Sequence, residues 1–302
     1  MLTVVVGVVS ALIFGAADFI GGLGSRRISP LRVTAVAGAV GLVVLLIALP
    51  FVGGTFSTEA LALGALSGIS GALAISLLYA CLAIGPMSIL SPLTAVVSAI
   101  VPLAVGLARG ERLGTIGYIA IGLALVAVVL VGFVREKNAV RPSVRGLVMA
   151  VGSGAMIGLF LVIIDLTPDD SGLVPLIANR AVSAALLFAA VAVVAIIARN
   201  RMRAAAGPAE VGARGVSTRN GGSGWRAGIW FAIACGVVDA VANAGLLLGL
   251  RLGELSVMSV LTALYPAGTI ILAAIVLRER IAVVQYVGLV LAIAAAGMLA
   301  LA

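Results

Sequence analysis

The sequence predicts an all-α polytopic membrane protein with ten transmembrane helices, arranged as two inverted five-helix repeats. Three observations predict this fold class: the composition, ten long apolar segments, and an internal repeat. Of the 302 residues, 63% are hydrophobic and 10% are charged, and the mean hydropathy is +1.31. Because a soluble domain carries about 25% charged residues, this composition excludes soluble enzymes, nucleic-acid binders and disordered chains.

Ten segments are apolar and long enough to span a bilayer, which requires about 20 residues each. In chain order they are 2–23, 30–52, 60–83, 86–108, 113–134, 146–164, 173–198, 227–250, 256–277 and 281–302. We expect helices because lipid cannot hydrogen-bond to an open backbone, and because the segments are too long for barrel strands. The first segment has neither a preceding basic residue nor a small-residue cleavage site, so we expect a membrane span and not a signal peptide.

Two polar segments interrupt the apolar pattern. Residues 135–145 separate the fifth and sixth helices and predict a boundary between a first repeat, 1–134, and a second repeat, 146–302. Residues 199–226 form the longest polar segment, which is basic and rich in Gly. We expect this segment to be a flexible loop within the second repeat.

The two halves match when Gly85 is placed on Gly253, an offset of 168 residues. The matched polar residues are Ser88, Ser91 and Thr94 with Ser256, Ser259 and Thr262, Glu111-Arg112 with Glu279-Arg280, and Tyr118 with Tyr286. These residue types are scarce in this chain, so chance is a poor explanation. Five is an odd number of helices, and the second half therefore enters the membrane with the opposite orientation. Inverted repeats are typical of secondary transporters, whose binding site lies at the midplane between the halves.

This motif set resembles the drug/metabolite transporter superfamily, and within it the ten-helix members with two EamA repeats. The resemblance rests on the segment from Gly85 to Glu111-Arg112 and on the segment from Gly253 through Tyr265-Pro266 to Glu279-Arg280. In both, a helix with small polar residues and a Pro precedes a Glu-Arg pair at a helix end. The resemblance implies export or uptake of small metabolites, amino acids or drugs, often with coupling to protons.

Two acids are candidates for proton coupling. Asp239 lies near the middle of the eighth helix, where a charged side chain costs about 2.5–3.5 kcal/mol on insertion scales and usually marks a transport pathway. Asn243 lies four residues further, on the same helix face, and both are predicted to bind substrate. The alternative role for Asp239 is a hydrogen bond that only joins two helices. Asp18, in the last third of the first helix, either faces the cavity or reaches toward Arg26 and Arg27 at the boundary.

Further polar residues are predicted to bind substrate. Arg180 lies about 12 Å along the seventh helix and could bind an anionic solute, pair with Asp239, or extend to the nearer interface. Ser88, Ser91 and Thr94 form one helix stripe in the first half, and Ser256, Ser259 and Thr262 form the matching stripe in the second half, which Tyr265 extends. The members predicted to bind substrate are Ser91, Thr94, Ser259, Thr262 and Tyr265. Their alternative role is close packing, because small residues are favoured between membrane helices.

We expect a secondary transporter that moves a small metabolite or drug by alternating access, with efflux as the first choice. We expect no enzymatic activity, cofactor or metal, because the chain has no His and its two Cys lie inside apolar segments. The expected partners are a small-molecule substrate, the lipid bilayer and protons, but no nucleic acid. The alternatives are a sugar-phosphate or nucleotide-sugar carrier, a membrane-embedded enzyme, and a non-transporting scaffold. Oligomeric state and substrate identity stay open.

Two arguments disagree about orientation in what we expect to be a bacterial-type inner membrane. Of the 19 basic residues, 15 lie in loops on one side, which holds the 199–226 loop, and three lie on the side of both termini. The positive-inside rule places the richer side in the cytoplasm and the termini outside. The family resemblance implies the reverse, with cytoplasmic termini.

Overall fold

The structure is a computed structural model and describes residues 1–82, 84, 87–132, 143–205, 222–278 and 281–301. These ranges form α-helices, one 3-10 turn at Asp169–Ser171 and short linkers. The helices are α1 Leu2–Ser25, α2 Pro30–Val52, α3 Thr58–Leu82, α4 Met87–Ala108, α5 Thr115–Gly132, α6 Val144–Asp165, α7 Val174–Ala205, α8 Gly222–Leu252, α9 Leu255–Thr262, α10 Tyr265–Val276 and α11 Val283–Leu301.

All ten predicted membrane spans are confirmed by helices of sufficient length and hydropathy. The ninth span differs from the single helix predicted over 256–277, because it consists of α9 and α10 with a break at Ala263 and Leu264. Pro266 explains the break, since a proline has no N–H and its ring clashes with the carbonyl group one turn earlier. The N–H of Leu264 instead donates to the carbonyl oxygen of Leu261 at 3.1 Å, which tightens the last turn of α9.

Some predicted features fall outside the described residues. These are Gly85, the side chain of Ser88, Glu279, Arg280, most of the linker 135–145, and residues 206–221 of the predicted loop.

The packing of the helices relates the two repeats by a pseudo-two-fold axis. The counterparts are α1 with α6, α2 with α7, α3 with α8, α4 with α9 and α10, and α5 with α11. Helix α1 packs on α8, and its counterpart α6 packs on α3; likewise α2 packs on α8, and α7 packs on α3. Three counterpart pairs contact each other directly: α2 with α7, α4 with α9, and α5 with α11. The chain therefore forms one bundle from two inverted repeats.

Small residues allow the helices of the two repeats to approach closely. A Cβ atom added at Gly15 of α1 would lie 2.4 Å from the carbonyl oxygen of Tyr265, at the start of α10. A Cβ atom at Gly268 would lie 2.8 Å from the carbonyl oxygen of Leu12. In lipid such contacts supply much of the association energy, because apolar surface gains little by leaving one apolar environment for another.

The helix directions define two membrane faces. Face A holds Leu2, Leu301 and the linkers 53–57, 109–114, 166–173 and 253–254, whereas face B holds the linker 26–29 and the described residues 277–278 and 281–282. The ends of α3, α5 and α7 and the starts of α4, α6 and α8 also lie at face B. Both termini of the described chain therefore share face A, as the even total of ten spans requires.

Candidate functional site

A cavity of about 180 Å³ lies between the repeats, bounded by α1, α2 and α3 of the first repeat and α6, α7 and α8 of the second. Its wall includes the apolar side chains of Phe14, Ile75 and Phe160. The polar part of the wall consists of Thr34, Asn179, Arg180, Ser183, Asp239 and Asn243. An apolar wall with a few placed polar groups is typical of sites for small molecules.

An ion pair lies in this cavity. The guanidinium group of Arg180, on α7, donates a hydrogen bond to the carboxylate of Asp239, on α8. The two side chains are 16% and 24% exposed, so water reaches the pair only partly. Either charge alone at this depth would be unfavourable, and pairing offsets part of that desolvation. Of the three roles predicted for Arg180, the structure shows the pairing with Asp239 and not an extension to the interface.

Glycines of α2 leave room for the Arg180 side chain. A Cβ atom at Gly41 would lie 3.6 Å from Nε of Arg180, at ordinary contact distance. A Cβ atom at Gly38 would lie 3.6 Å from Cβ of Ala184 on the same helix as Arg180. A side chain larger than Ala at position 41 would therefore collide with the guanidinium group.

Two amides hold the backbone around the ion pair. Nδ2 of Asn243 donates to the backbone carbonyl oxygen of Asp239 at 2.8 Å, within α8. Nδ2 of Asn179 donates to Oγ of Ser67 on α3 at 2.8 Å, and that hydroxyl donates to the carbonyl oxygen of Gly64. Asn179 and Ser183 were not among the predicted site residues. Their signal in the sequence is proximity to Arg180, since they precede and follow it by one and three positions on α7.

Asp18 lies beside the ion pair without joining it. Its side chain is exposed on α1, one turn beyond Phe14 of the cavity wall. It is close enough to Asp239 and to Tyr265 to interact with both electrostatically. Cys235 lies close enough to Asp18 and Asp239 to interact with both carboxyl groups. Within the described residues Asp18 forms no ion pair, so the alternative of pairing with Arg26 and Arg27 is not what the structure shows.

The predicted small-residue stripes lie mainly in helix interfaces. Thr94 is buried and donates to the carbonyl oxygens of Leu90 and Ala150, at 2.9 and 3.2 Å, which joins α4 to α6. Ser259 is buried and donates to the carbonyl oxygen of Ser256 at 2.9 Å. The residues that line the 180 Å³ cavity include none of the stripe. For Thr94 and Ser259 the structure thus shows the packing role that was the alternative.

The remaining members of the stripes are less constrained. Ser91 and Tyr265 are half-buried. The hydroxyl oxygen of Thr262 is buried and has no hydrogen-bond partner in the described part of the chain. It lies at the break between α9 and α10, where the helical ladder is already interrupted. A role for these three residues in binding a solute stays a prediction.

The linkers at face A tie together the ends of the helices that bound the cavity. Thr55, between α2 and α3, donates its N–H to the carbonyl oxygen of Asp170 at 2.9 Å and its hydroxyl to Oδ2 of the same residue at 2.7 Å. Gly172 has a positive φ of 48°, and a Cβ atom there would lie 2.2 Å from the carbonyl oxygen of Gly53. This close contact between the two linkers requires glycine.

Arg251, near the end of α8, fixes the same linker from the other side. Its guanidinium group donates to the carbonyl oxygen and the hydroxyl of Thr167, both at 2.6 Å, and to the carbonyl oxygen of Pro168 at 2.9 Å. It also forms an ion pair with Asp169 at 2.9 Å. Thr34, in the cavity wall, lies near the opposite end of the bundle, one turn from the start of α2. The contacts of Thr55 and Arg251 therefore constrain the linkers at face A, while the wall of the cavity runs from Phe160 and Asn179 to Thr34 near face B.

Comparisons with known proteins agree with this architecture. The EamA-like transporter family matches the chain twice, over residues 1–133 and 144–301. None of the curated proteins matches the chain. One crystal structure superposes with a TM-score of 0.69 at 15% sequence identity, and the match covers 100% of this chain and 96% of the other. At that identity the superposition shows a shared fold alone.

Proposed function

The chain belongs to the EamA-like transporter family, whose members are membrane transporters of the drug/metabolite transporter superfamily, and from this premise we propose that it exports a small metabolite or drug by alternating access. The observation that carries the proposal is the Arg180–Asp239 ion pair in a cavity between two inverted repeats. Inverted repeats supply two equivalent packings for alternating access. The proposed setting is a bacterial-type plasma membrane.

The ion pair suits a binding site that is stable without solute and whose two charged groups separate when a solute binds. Without solute the two charges neutralise each other. A solute with an anionic group competes with Asp239 for the guanidinium group of Arg180, and a cationic group competes for the carboxylate. Asn179, Ser183 and Asn243 supply further polar groups, while the apolar wall around Phe14 and Phe160 binds the rest of the solute.

A sugar-phosphate or nucleotide-sugar carrier is less well supported. Such solutes carry two or more negative charges, and their sites need several cations. Among the described residues that line the cavity, Arg180 is the one cation, and Asp239 neutralises it. Asp18 adds a second carboxyl group nearby. The cavity therefore favours a neutral, zwitterionic or cationic solute.

Efflux is supported by the combination of two observations. The Thr55–Asp170 contacts constrain the linkers at face A, and the wall of the cavity reaches Thr34 near face B. Face B is also the face with most of the basic residues, which the positive-inside rule places in the cytoplasm. A cavity that loads from the cytoplasm is the starting state of an exporter.

We also propose that transport is coupled to protons, and we assign the coupling to Asp18 in preference to Asp239. Asp239 already has Arg180 as a partner. Asp18 lies in the same region without a cationic partner among the described residues, and with Asp239 as a neighbouring acid. The groups that face Asp18 from the packed helices are Asp239 and Cys235 of α8 and Tyr265 of α10.

The test begins with metabolite profiles of the medium from cells that express the wild type, Arg180→Gln, or the control Arg109→Gln. Arg109 forms a surface ion pair with Asp165 outside the cavity, so its loss removes an equal charge elsewhere. We expect one solute or solute class to accumulate with the wild type and the control, but not with Arg180→Gln. No difference between the wild type and empty cells would contradict export.

Proteoliposomes loaded with that solute then test the coupling. With Asp18→Asn, we expect transport down the solute gradient to persist while acceleration by a pH gradient disappears. Asp239→Asn should impair transport with or without the pH gradient, because it releases the Arg180 charge. A pH-gradient response that survives in Asp18→Asn and vanishes in Asp239→Asn would return the coupling role to Asp239.

A further inference from the structure

The wall that α3 contributes to the cavity between the repeats is open at Gly71. This residue lines the cavity together with Ala72, Ala74 and Ile75. Since these four positions share one face of the helix and Gly71 lies near the middle of that face, a Cβ atom added there would point into the cavity. Such an atom would have no neighbour within 4 Å. The cavity therefore extends to the backbone of α3 at this position.

The same face of α3 is closely packed on α7 nearer face A. A Cβ atom at Gly64 would lie 2.4 Å from the carbonyl oxygen of Pro175, and one at Gly68 would lie 2.5 Å from the carbonyl oxygen of Asn179. Gly71 follows these two glycines on the same helix face. The close contact of this face with α7 thus ends between Gly68 and Gly71, where the cavity begins.

Gly71 is the repeat counterpart of Asp239. The offset of 168 residues that matches the two halves places one on the other, and it also places Gly68 on Gly236. Gly236 approaches a neighbouring backbone as closely as Gly68 does, since a Cβ atom there would lie 2.4 Å from the carbonyl oxygen of Ala37 on α2. The packing of α8 on α2 therefore repeats that of α3 on α7.

Arg180 has a glycine as its repeat counterpart as well. In these equivalent contacts Ala37 takes the place of Asn179. The next residue is Gly38 in α2 and Arg180 in α7, and Gly38 also lines the cavity. The second repeat thus contributes an ion pair to the cavity, whereas the first repeat contributes two glycines at the equivalent positions, Gly38 and Gly71. The space equivalent to that of the ion pair is left open.

We propose that Gly71 is a specificity-determining residue, which limits the size of the solute that the cavity accepts. The inference rests on the proposed function. A polar group of the solute binds at the Arg180–Asp239 pair, and its apolar group occupies the open space at Gly71. The volume of about 180 Å³ is below the roughly 300–1,000 Å³ of sites for drug-sized molecules. The solute class is therefore a compact metabolite and not a larger drug.

Thiol labelling tests whether position 71 faces the cavity, independently of transport. In a background with Cys81→Ala and Cys235→Ala, Gly71→Cys in lipid nanodiscs should react with a trimethylammonium-ethyl methanethiosulfonate, because a thiolate forms in contact with water. Gly122→Cys is the matched control. A Cβ atom at Gly122 also has no neighbour within 4 Å, but this residue is exposed on the surface of α5, which faces lipid, and its thiol should stay unmodified. Equal reaction rates at the two positions would overturn the proposal.

Metabolite profiles of the medium test the size limit. Export by Gly71→Ala, Gly71→Val and Gly71→Leu should fall in that order, with the largest exported solutes lost first. Gly71→Leu should lower their export about tenfold or more, because even one methylene group in an apolar pocket changes discrimination by roughly tenfold or more. Gly122→Leu, compared at equal abundance in the membrane, should keep the wild-type profile.

Two outcomes of these profiles have different meanings. A wild-type profile in Gly71→Leu would overturn the size limit and leave the proposed function intact. No exported solute in the wild type would contradict the proposed function itself, while the labelling of Gly71→Cys against Gly122→Cys would still decide whether position 71 faces the cavity.

Discussion

Glu111, which follows α4 in the first repeat, caps the start of α9 in the second repeat through Ser256. Its Oε2 accepts a hydrogen bond from the N–H of Ser256 at 3.0 Å, while Oε1 accepts one from the N–H of Leu255 at 3.0 Å. These donors have no partner within α9, since they belong to its first turn. A negative charge at a helix N-terminus is also favourable. Glu111 of the predicted Glu111-Arg112 motif thus joins the first repeat to the second.

Loss of this cap should destabilise the protein. Because a capping side chain contributes about 0.5–2 kcal/mol, Glu111→Ala should lower the midpoint of thermal unfolding in detergent. Glu111→Gln should have a smaller effect, because it keeps one carbonyl oxygen as an acceptor but loses the charge. An unchanged midpoint in Glu111→Ala would mean that water replaces the carboxylate at the start of α9.

Gly106 provides a second test of the same cap. A Cβ atom there would lie 2.3 Å from Oε2 of Glu111 and 2.4 Å from Oγ of Ser256. Replacing a helical Gly by Ala normally stabilises by about 0.5–1 kcal/mol, but Gly106→Ala should destabilise because it displaces the cap. Gly122→Ala, within α5, is the control, since a Cβ atom there has no neighbour within 4 Å. A stabilising effect of Gly106→Ala in the wild-type background would contradict the packing seen here.

The residue before α9 should make stability depend on pH. Burial and the neighbouring Glu111 carboxylate raise the pKa of Glu254. A raised pKa means that the ionised side chain is less favourable in the folded state than in the unfolded state. The penalty is absent well below the usual pKa of a glutamate and is fully present above the raised pKa. Glu254→Gln should therefore raise the unfolding midpoint near neutral pH, and the gain should shrink on acidification toward about pH 4. A gain that is constant over this range would exclude ionisation as its cause.

The Arg180–Asp239 pair should show strong coupling in a double-mutant cycle. Removing one partner of a fully buried pair costs about 3–5 kcal/mol. Because these side chains are 16% and 24% exposed, we expect a smaller loss of about 1–3 kcal/mol for Arg180→Gln or Asp239→Asn. The double variant should recover part of that loss, because it leaves no lone charge.

The Arg109–Asp165 pair supplies the matched comparison for this cycle. Its N–O distance is 2.7 Å, and its side chains are 37% and 18% exposed. The pair lies near face A, where water screens the charges, and we expect a coupling below about 1 kcal/mol. Equal coupling energies in the two cycles would show that the cavity does not differ from the surface in its electrostatics.

The sequence was sufficient for the membrane spans, because hydropathy over about 20 residues depends on composition and not on tertiary contacts. The repeat was also visible in the sequence, since Ser, Thr and Glu are informative in an apolar chain. The break at Ala263 and Leu264 was not predicted. Pro92 and Pro102 leave α4 continuous, whereas Pro266 ends α9, so a proline alone does not decide between a kink and a break.

The site was predictable only in part. The sequence indicates how deep a residue lies in the membrane, but it does not show which side chains that residue contacts. Depth identified Asp239 and Arg180, yet only the packing of both α7 and α8 on α2 brings the two side chains together. Thr94 and Ser259 illustrate the opposite problem. A small hydroxyl residue suits a cavity wall or a helix interface equally well, and only the positions of Ala150 and Ser256 show where these hydroxyls donate.

Thiol labelling should separate the cavity wall from the small-residue stripes. In a background with Cys81→Ala and Cys235→Ala, single cysteines at Thr34 and Ser183 should react with a small soluble thiol reagent. Cysteines at Thr94 and Ser259 should stay unmodified, because those side chains are buried in the α4–α6 and α4–α9 interfaces. The repeat pattern alone predicted the opposite for both stripes, with protection by substrate. Reaction at Thr94 and Ser259 that the transported solute blocks would restore them to the binding site.

The distribution of basic residues between the two faces predicts the orientation of the chain in the membrane. Fifteen of the 19 basic residues belong to face B, including Arg26, Arg27 and the loop 199–226. The loops are short enough for the positive-inside rule to apply, so we expect face B in the cytoplasm and both termini outside. A green fluorescent reporter inserted after Gly212 should fluoresce, whereas alkaline phosphatase at the same position should be inactive, because its disulfides require an oxidising compartment. Fusions after the C-terminus, which follows α11 at face A, should give the reverse pattern. Active phosphatase after Gly212 would establish the family's usual orientation. In that case Thr34, at the face B end of the cavity wall, would lie nearest the outside, and the proposal that the cavity loads from the cytoplasm would lose its support.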